Sequence, residues 1–90
     1  MNYFERSIPV ASVAHLYGKD PSWVRAGLIS GWLPFGFATR HGEKVTDISK
    51  MGLKYGRINY YISPKLFYEE TGLVWKGGNH FEYVNPSGSI

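Results

Sequence analysis

Residues 10–34, VASVAHLYGKDPSWVRAGLISGWLP, decide the reading of the fold. Val10, Val13, Ala14 and Tyr17 recur at i, i+3, i+4 and i+7, which is one apolar stripe of a helix. Pro9 suits the first turn of that helix, and Gly18 offers a left-handed stop. A helix this short does not persist alone and has to be packed. His15 falls beside the stripe and is expected to be partly buried. A second start follows at once. Asp20 can accept from the free amides of the next turn, and Pro21 is preset for the first helical position. The spacing predicts a helix over residues 21–32, ended by Leu33-Pro34 because the residue before proline disfavours the α region. Trp23, Val24, Gly27, Leu28 and Gly31 or Trp32 share its inner side. Ser22, Arg25, Ala26 and Ile29 share the outer one, with Ser30 at the margin. Gly27 and Gly31 each cost about 1 kcal/mol relative to Ala inside a helix, so a close backbone approach is expected in return. Two short helices joined by Gly18-Lys19-Asp20 read as a helix-turn-helix.

Beyond this unit, residues 35–39 (FGFAT) and 57–62 (RINYYI) read as short strands, the second rich in β-branched and aromatic residues. They are expected to pair antiparallel as a hairpin. The 17 residues between them, Arg40 to Gly56, exceed an ordinary hairpin loop. Such a segment either carries function or holds a small element of its own, around Val45, Ile48 and Met51. Ser63-Pro64 repeats the cap-then-proline start of a third helix closed by Gly72, with Leu66, Phe67 and Leu73 facing inward. After Trp75 the chain turns rich in glycine and polar residues, and residues 76–90 are predicted to form a flexible tail. The expected architecture is α+β: a small winged helix-turn-helix of order α-α-β-β-α over residues 1–75, with an extended wing loop and that tail.

Ninety residues fit one domain with a thin stability margin. No cysteine is present, which excludes disulfides, thiolate catalysis and cysteine-based zinc sites. The N-terminal residues lack a signal-peptide core, and no run is long and apolar enough to span a membrane. A soluble, cytoplasmic protein without membrane contact is therefore expected. Net charge is +3, but its distribution says more. Residues 19–65 hold eight basic against three acidic side chains, a local excess of +5, while the rest of the chain stands at −2. A basic middle with acidic flanks points to a polyanion partner, though a solvated lysine-rich loop has the same composition.

Chemistry-bearing patterns are few. His15, His41 and His80 lie far apart with no metal-ligand spacing, and Glu69-Glu70 are adjacent on a helix and so point apart. No nucleophile elbow or phosphate-binding glycine loop occurs. The reading is of a non-enzyme with no catalytic residues, metal or cofactor.

The stretches VAHLYGKDPSWVRAGLISGWLP (residues 13–34) and INYYISPKLFYEETGL (residues 58–73) resemble small phage and mobile-element proteins of low-GC Gram-positive bacteria. These are excisionase-type, MerR-like winged helix-turn-helix proteins. The resemblance spans about residues 8–74. It implies sequence-specific binding of duplex DNA, as a recombination accessory factor or a small transcriptional regulator, with an integrase or self-association on DNA as further partners. One departure stands out: the family's wing is short, whereas 17 residues separate the two strands here.

On this reading the second helix enters the major groove. Arg25 is its one long cation, able to pair with a guanine or a phosphate, and in MerR-like relatives the matching arginine tends to contact backbone. Ser22 can bond phosphate or cap the helix, Lys19 can reach phosphate from the turn, and Ile29 completes the face. Arg40, Lys44, Lys50, Lys54 and Arg57 would follow phosphates or enter a minor groove from the wing. Trp23, Trp32, Phe35, Phe37, Tyr60, Phe67 and Trp75 are expected in the core, and Tyr55 and Tyr61 at the surface. The competing reading keeps the scaffold but makes it a phage-encoded module that binds a host or virion protein.

Overall fold

The computed structural model describes residues 6–83, and the elements follow in the order α1 (Val10–Tyr17), α2 (Pro21–Ser30), β1 (Gly36–Arg40), β2 (Glu43–Val45), β3 (Asn59–Ile62), α3 (Pro64–Thr71), β4 (Leu73–Gly77) and β5 (His80–Tyr83). Two 3₁₀ turns, Ile48–Lys50 and Leu53–Tyr55, lie between β2 and β3. The fold is α+β, with three helices and two small antiparallel sheets, ordered β2-β1-β3 and β4-β5. Residues 84–90 lie outside the described residues, so that part of the expected tail is not addressed.

Each helix starts and stops for a local reason. Pro9 is the cap of α1 rather than part of its first turn. The stripe of α1 buries Val13 and Ala14 and also Ser12, whose hydroxyl donates to the Gly78 carbonyl at 2.6 Å. His15 is exposed, not partly buried as expected, because the buried side of α1 runs through Ser12 instead. The Asp20 side chain accepts from the Ser22 N–H at 2.9 Å and caps α2. That helix stops at Ser30, short of the expected residue 32. Gly31, at φ 89°, takes the left-handed cap position and returns its N–H to the Gly27 carbonyl at 2.9 Å. Gly31 is thus a stop signal and not an interior residue. Gly27 does permit a close approach, since a Cβ there would collide with the Leu33 side chain that folds back over it. Ser63 caps α3 through the Leu66 N–H at 3.1 Å.

The strands at 36–40 and 59–62 pair antiparallel, with Gly36 opposite Ile62 and Thr39 opposite Asn59. They are not, however, a hairpin. β1 turns directly into β2 through His41 and Gly42, both at positive φ (52° and 80°), with Arg40 opposite Glu43. Two central residues of positive φ match the right-handed strand twist, as in a type I′ turn. The 17-residue interval therefore contains a tight hairpin followed by the two 3₁₀ turns. The second sheet corrects the expected flexible tail. Residues 76–83 include β5, which pairs with β4 so that Trp75 faces Phe81. The Trp75 indole N–H donates to the Gly78 carbonyl at 2.9 Å, the same oxygen that Ser12 holds. The aromatic alternation at Phe81 and Tyr83 is what a glycine-rich composition concealed.

Among the described residues the core comprises Ile8, Val13, Ala14, Val24, Leu28, Leu33, Phe35, Ile62, Phe67 and Trp75. Phe67 lies edge-on to Phe35, with ring centroids 4.9 Å apart. Four positions depart from expectation. Ile29 is buried, at 3% exposure; α2 packs against β1 and the Ile48–Lys50 turn as well as against α1. Trp32 is about half exposed and packs edge-on against Trp23 at 4.9 Å, outside the core. Phe37 is exposed because strand alternation sends it to the face opposite buried Ala38. Leu66 is exposed on the outer side of α3, leaving Phe67 as that helix's inward anchor.

Candidate nucleic-acid interface

Strand alternation divides the three-stranded sheet into two faces. Ala38 pairs with Val45 and Tyr60, and Arg40 with Glu43, on the face that receives α2. Phe37 pairs with Tyr61, and Thr39 with Lys44 and Asn59, on the other. Basic side chains from three elements converge on the first face. The Arg25 guanidinium, from α2, lies over the Tyr60 ring at 5.9 Å from its centroid. Burial pushes the Tyr60 phenol up, while the positive charges of Arg25 and Arg40 pull it down, so both guanidinium groups lie close to this ring. Arg25 and Tyr60 line an open cleft of about 480 Å³ together with Met51, Gly56, Arg57 and Ile58.

A second aromatic collects the rest. The Tyr55 ring has Arg40 at 5.7 Å, Lys50 at 5.7 Å and Lys54 at 5.2 Å from its centroid. A cation over an aromatic face is held by the ring quadrupole, so Tyr55 and Tyr60 tie down long side chains that would otherwise be mobile. Arg25, Arg40, Lys50, Lys54 and Arg57 thus form one continuous basic surface running from α2 across β1 to the 3₁₀ turns.

The other site candidates fall around this surface. Lys44 lies on β2 and lines a cleft of about 320 Å³ with Arg40, His41, Glu43, Asp47 and Lys50, where two carboxylates dilute the charge. Lys19 is exposed, its ammonium 5.5 Å from the centroid of the Trp23 ring. Ser22 is exposed at the start of α2, but its N–H is already taken by Asp20. The hydrogen bonds from the Ser22 N–H and hydroxyl, with Arg25 nearby, hold the Asp20 carboxyl below the usual aspartate range. A carboxylate therefore stands where an incoming phosphate would otherwise meet free amides. Ile29, being buried, is withdrawn from the surface set.

Two features of the surface went unforeseen. Tyr60 packs half-buried against the core, on the face that the alternation of Ile58 to Ile62 signals, but its contact with the Arg25 guanidinium was not expected. Arg40 was expected to follow phosphates or enter a minor groove from the wing, yet its guanidinium is hydrogen-bonded to backbone. Nε–H and Nη2–H donate to the Gly56 carbonyl at 3.2 and 3.1 Å, and Nη2–H also reaches the Gly52 carbonyl at 3.4 Å. No local pattern in the sequence announces that contact.

Among the described residues no group of three His, Asp or Glu side chains is placed to hold a metal ion, and no helix is long and apolar enough to cross a membrane. Comparison with family models, with curated proteins and with solved structures finds no match to this chain.

Proposed function

We propose that this protein binds duplex DNA as a small winged helix-turn-helix, with α2 directed into the major groove and the β1–β2 hairpin acting as the wing. The observation that carries the reading is the gathering of Arg25, Arg40, Lys50, Lys54 and Arg57 around Tyr55 and Tyr60. Cations gathered beside aromatic rings along one surface suit a periodic row of phosphates. The tight turn at His41-Gly42 supports a short wing, since its tip is only two residues wide. Lys19 and Lys44 flank the surface and would add backbone contacts. A recombination accessory factor working beside an integrase, or a small regulator, in the bacterial cytoplasm, are the roles that the family resemblance suggests. A single module of this size buries of the order of 600–1,000 Å² against DNA, so a neighbour on the DNA is expected to support occupancy.

The test is the affinity of the purified protein for duplexes from its own genetic neighbourhood, measured between about 50 and 200 mM salt. Counterion release requires a steep, log-linear loss of affinity with salt. No salt-sensitive binding to any duplex overturns the reading. The competing reading, a protein-binding module, is favoured by one specific observation. Phe37, Tyr61 and Leu66 are exposed around a cleft of about 440 Å³ in which Lys44 is the sole charged side chain.

A further inference from the structure

The segment from Thr46 to Arg57 carries two of the cations of the basic surface, Lys50 and Lys54, and ends on a third, yet it has almost no core of its own. Of its described side chains only Met51 is even half-buried. Its internal order comes from an Asp47 cap on the Ser49 N–H at 2.9 Å and from single-turn backbone bonds such as Tyr55 N–H to the Gly52 carbonyl at 3.2 Å. Bonds of that length and exposure do not fix a loop relative to the rest of a molecule. Arg40 does. It sits at the end of β1, in a strand held on both sides, and its planar fork takes the carbonyls of Gly56 and Gly52 while its face covers Tyr55. Gly56 is held at φ 102°, in the left-handed region, and a Cβ there would come within 3.4 Å of His41 and 3.8 Å of Arg40. The left-handed backbone conformation favours glycine at this point, while a Cβ would meet its neighbours only at ordinary contact distance.

We infer that Arg40 is a positioning residue: a clasp between β1 and the 46–57 segment that presents Lys50 and Lys54 to the DNA, rather than a phosphate contact itself. The inference rests on the DNA reading above. Lysine cannot substitute, since a point charge with rotatable donors does not reproduce a fork that spans two carbonyls. Arg40→Lys therefore keeps the charge and removes the clasp, and that combination separates the two roles.

Two measurements test it on the intact protein. Hydrogen exchange without DNA should show faster exchange of the Lys50, Met51 and Tyr55 amides in Arg40→Lys, with the Ile62 and Gly31 amides unchanged. Unchanged exchange at the first three overturns the clasp, whatever the protein does with DNA. Against duplex DNA, Arg40→Lys should weaken binding roughly tenfold and lower the log–log salt slope by one to two units, about the count of phosphates released. In a Lys50→Ala/Lys54→Ala background the same substitution should change affinity less than about twofold, because the two lysines that the clasp presents are gone. A direct phosphate contact predicts the reverse: an unchanged slope in the wild-type background and a full, additive loss in the double variant. If the wild-type protein shows no salt-dependent DNA binding, the DNA role of Arg40 falls with that reading, and the exchange result alone decides the clasp.

Discussion

Phe67 is fully buried between Phe35 and Phe81, whereas Tyr55 stands 40% exposed with three cations around its ring. The two aromatics stand for two regions. Around Phe67, helices and strands are held by apolar surface removed from water, a force that is non-directional and shared by every neighbour. Around Tyr55, the chain is held by directed contacts: one guanidinium on two carbonyls, one aspartate on a turn and cations on a ring. The first kind of order is global and is lost all at once. The second opens locally, at a cost set by a few hydrogen bonds.

The largest effects should come from the first region. Phe67→Ala removes a buried ring with two aromatic neighbours and should cost about 3–5 kcal/mol; Leu28→Ala should cost about 2–4 kcal/mol. Thermal or urea unfolding checks both. A wild-type-like melt for Leu28→Ala would mean that α2 packs on its other face. Neither Lys50→Ala nor Lys54→Ala should move the same melt by more than about 0.5 kcal/mol. A larger shift would erase the distinction between the regions.

That distinction also explains what the sequence made legible. Burial leaves periodicity, so α1, α2, α3 and the pairing of residues 36–39 with 59–62 could be read from apolar spacing and cap residues. The errors occurred where periodicity does not report the neighbour. Ile29 lies off the predicted stripe of α2 and is buried all the same, so its burial is a tertiary fact. Trp32 and Leu66 carry large apolar side chains that are left exposed to 49% and 43%. The β4–β5 hairpin was obscured by the glycines of its own turn, and the β1–β2 hairpin by a histidine in a left-handed position that glycine or asparagine more often fills. In the 46–57 segment, Ile48 and Met51 signalled a small element, found as the 48–50 turn, but nothing signalled how it is attached. The contacts of Arg40 span 12 to 16 residues of sequence and leave no local mark. The basic excess of residues 19–65 was legible, but not the two tyrosines that organise it.

Intermediate effects bear on the surface itself. Arg25→Ala should leave the core intact, with a stability change no greater than the roughly 0.5–1 kcal/mol of an exposed cation–π contact. Its effect on DNA affinity should be larger, about 1–3 kcal/mol. A phosphate contact predicts a nearly uniform loss across sequences and a slope reduced by about one unit; a guanine contact predicts relaxed specificity at one base pair. If stability fell more than affinity, Arg25 would belong with Phe67 and not with Tyr55.

The smallest expected effect compares the regions through their caps. Asp20 and Asp47 make the same local contact, each accepting a backbone N–H two residues on at 2.9 Å. Both carboxyls are held below the usual aspartate range. For Asp20 the chief cause is the Ser22 N–H; for Asp47 it is the Ser49 hydroxyl, followed by the Ser49 N–H. A carboxyl depressed in the folded state stabilises that state above the ordinary value of about 3.9, and the contribution is lost as pH falls through the lower, folded value. Stability should therefore decline on acidification below about pH 4, and each aspartate should contribute to the decline of the unit that it caps. Asp20 caps α2, which carries Val24 and Leu28 in the core, so Asp20→Asn should flatten the acid limb of the global melting temperature. Asparagine retains an oxygen acceptor, so this variant removes the titration while leaving a cap. Asp47 caps a turn that opens without the core. Asp47→Asn should leave the melting temperature at each pH as in the wild type, and should instead abolish the acid-induced rise in exchange of the Lys50 and Met51 amides relative to an unstructured reference. Equal flattening of the melt by both variants would show that the 46–57 segment unfolds only with the core, and the clasp at Arg40 would then join two parts of one cooperative unit.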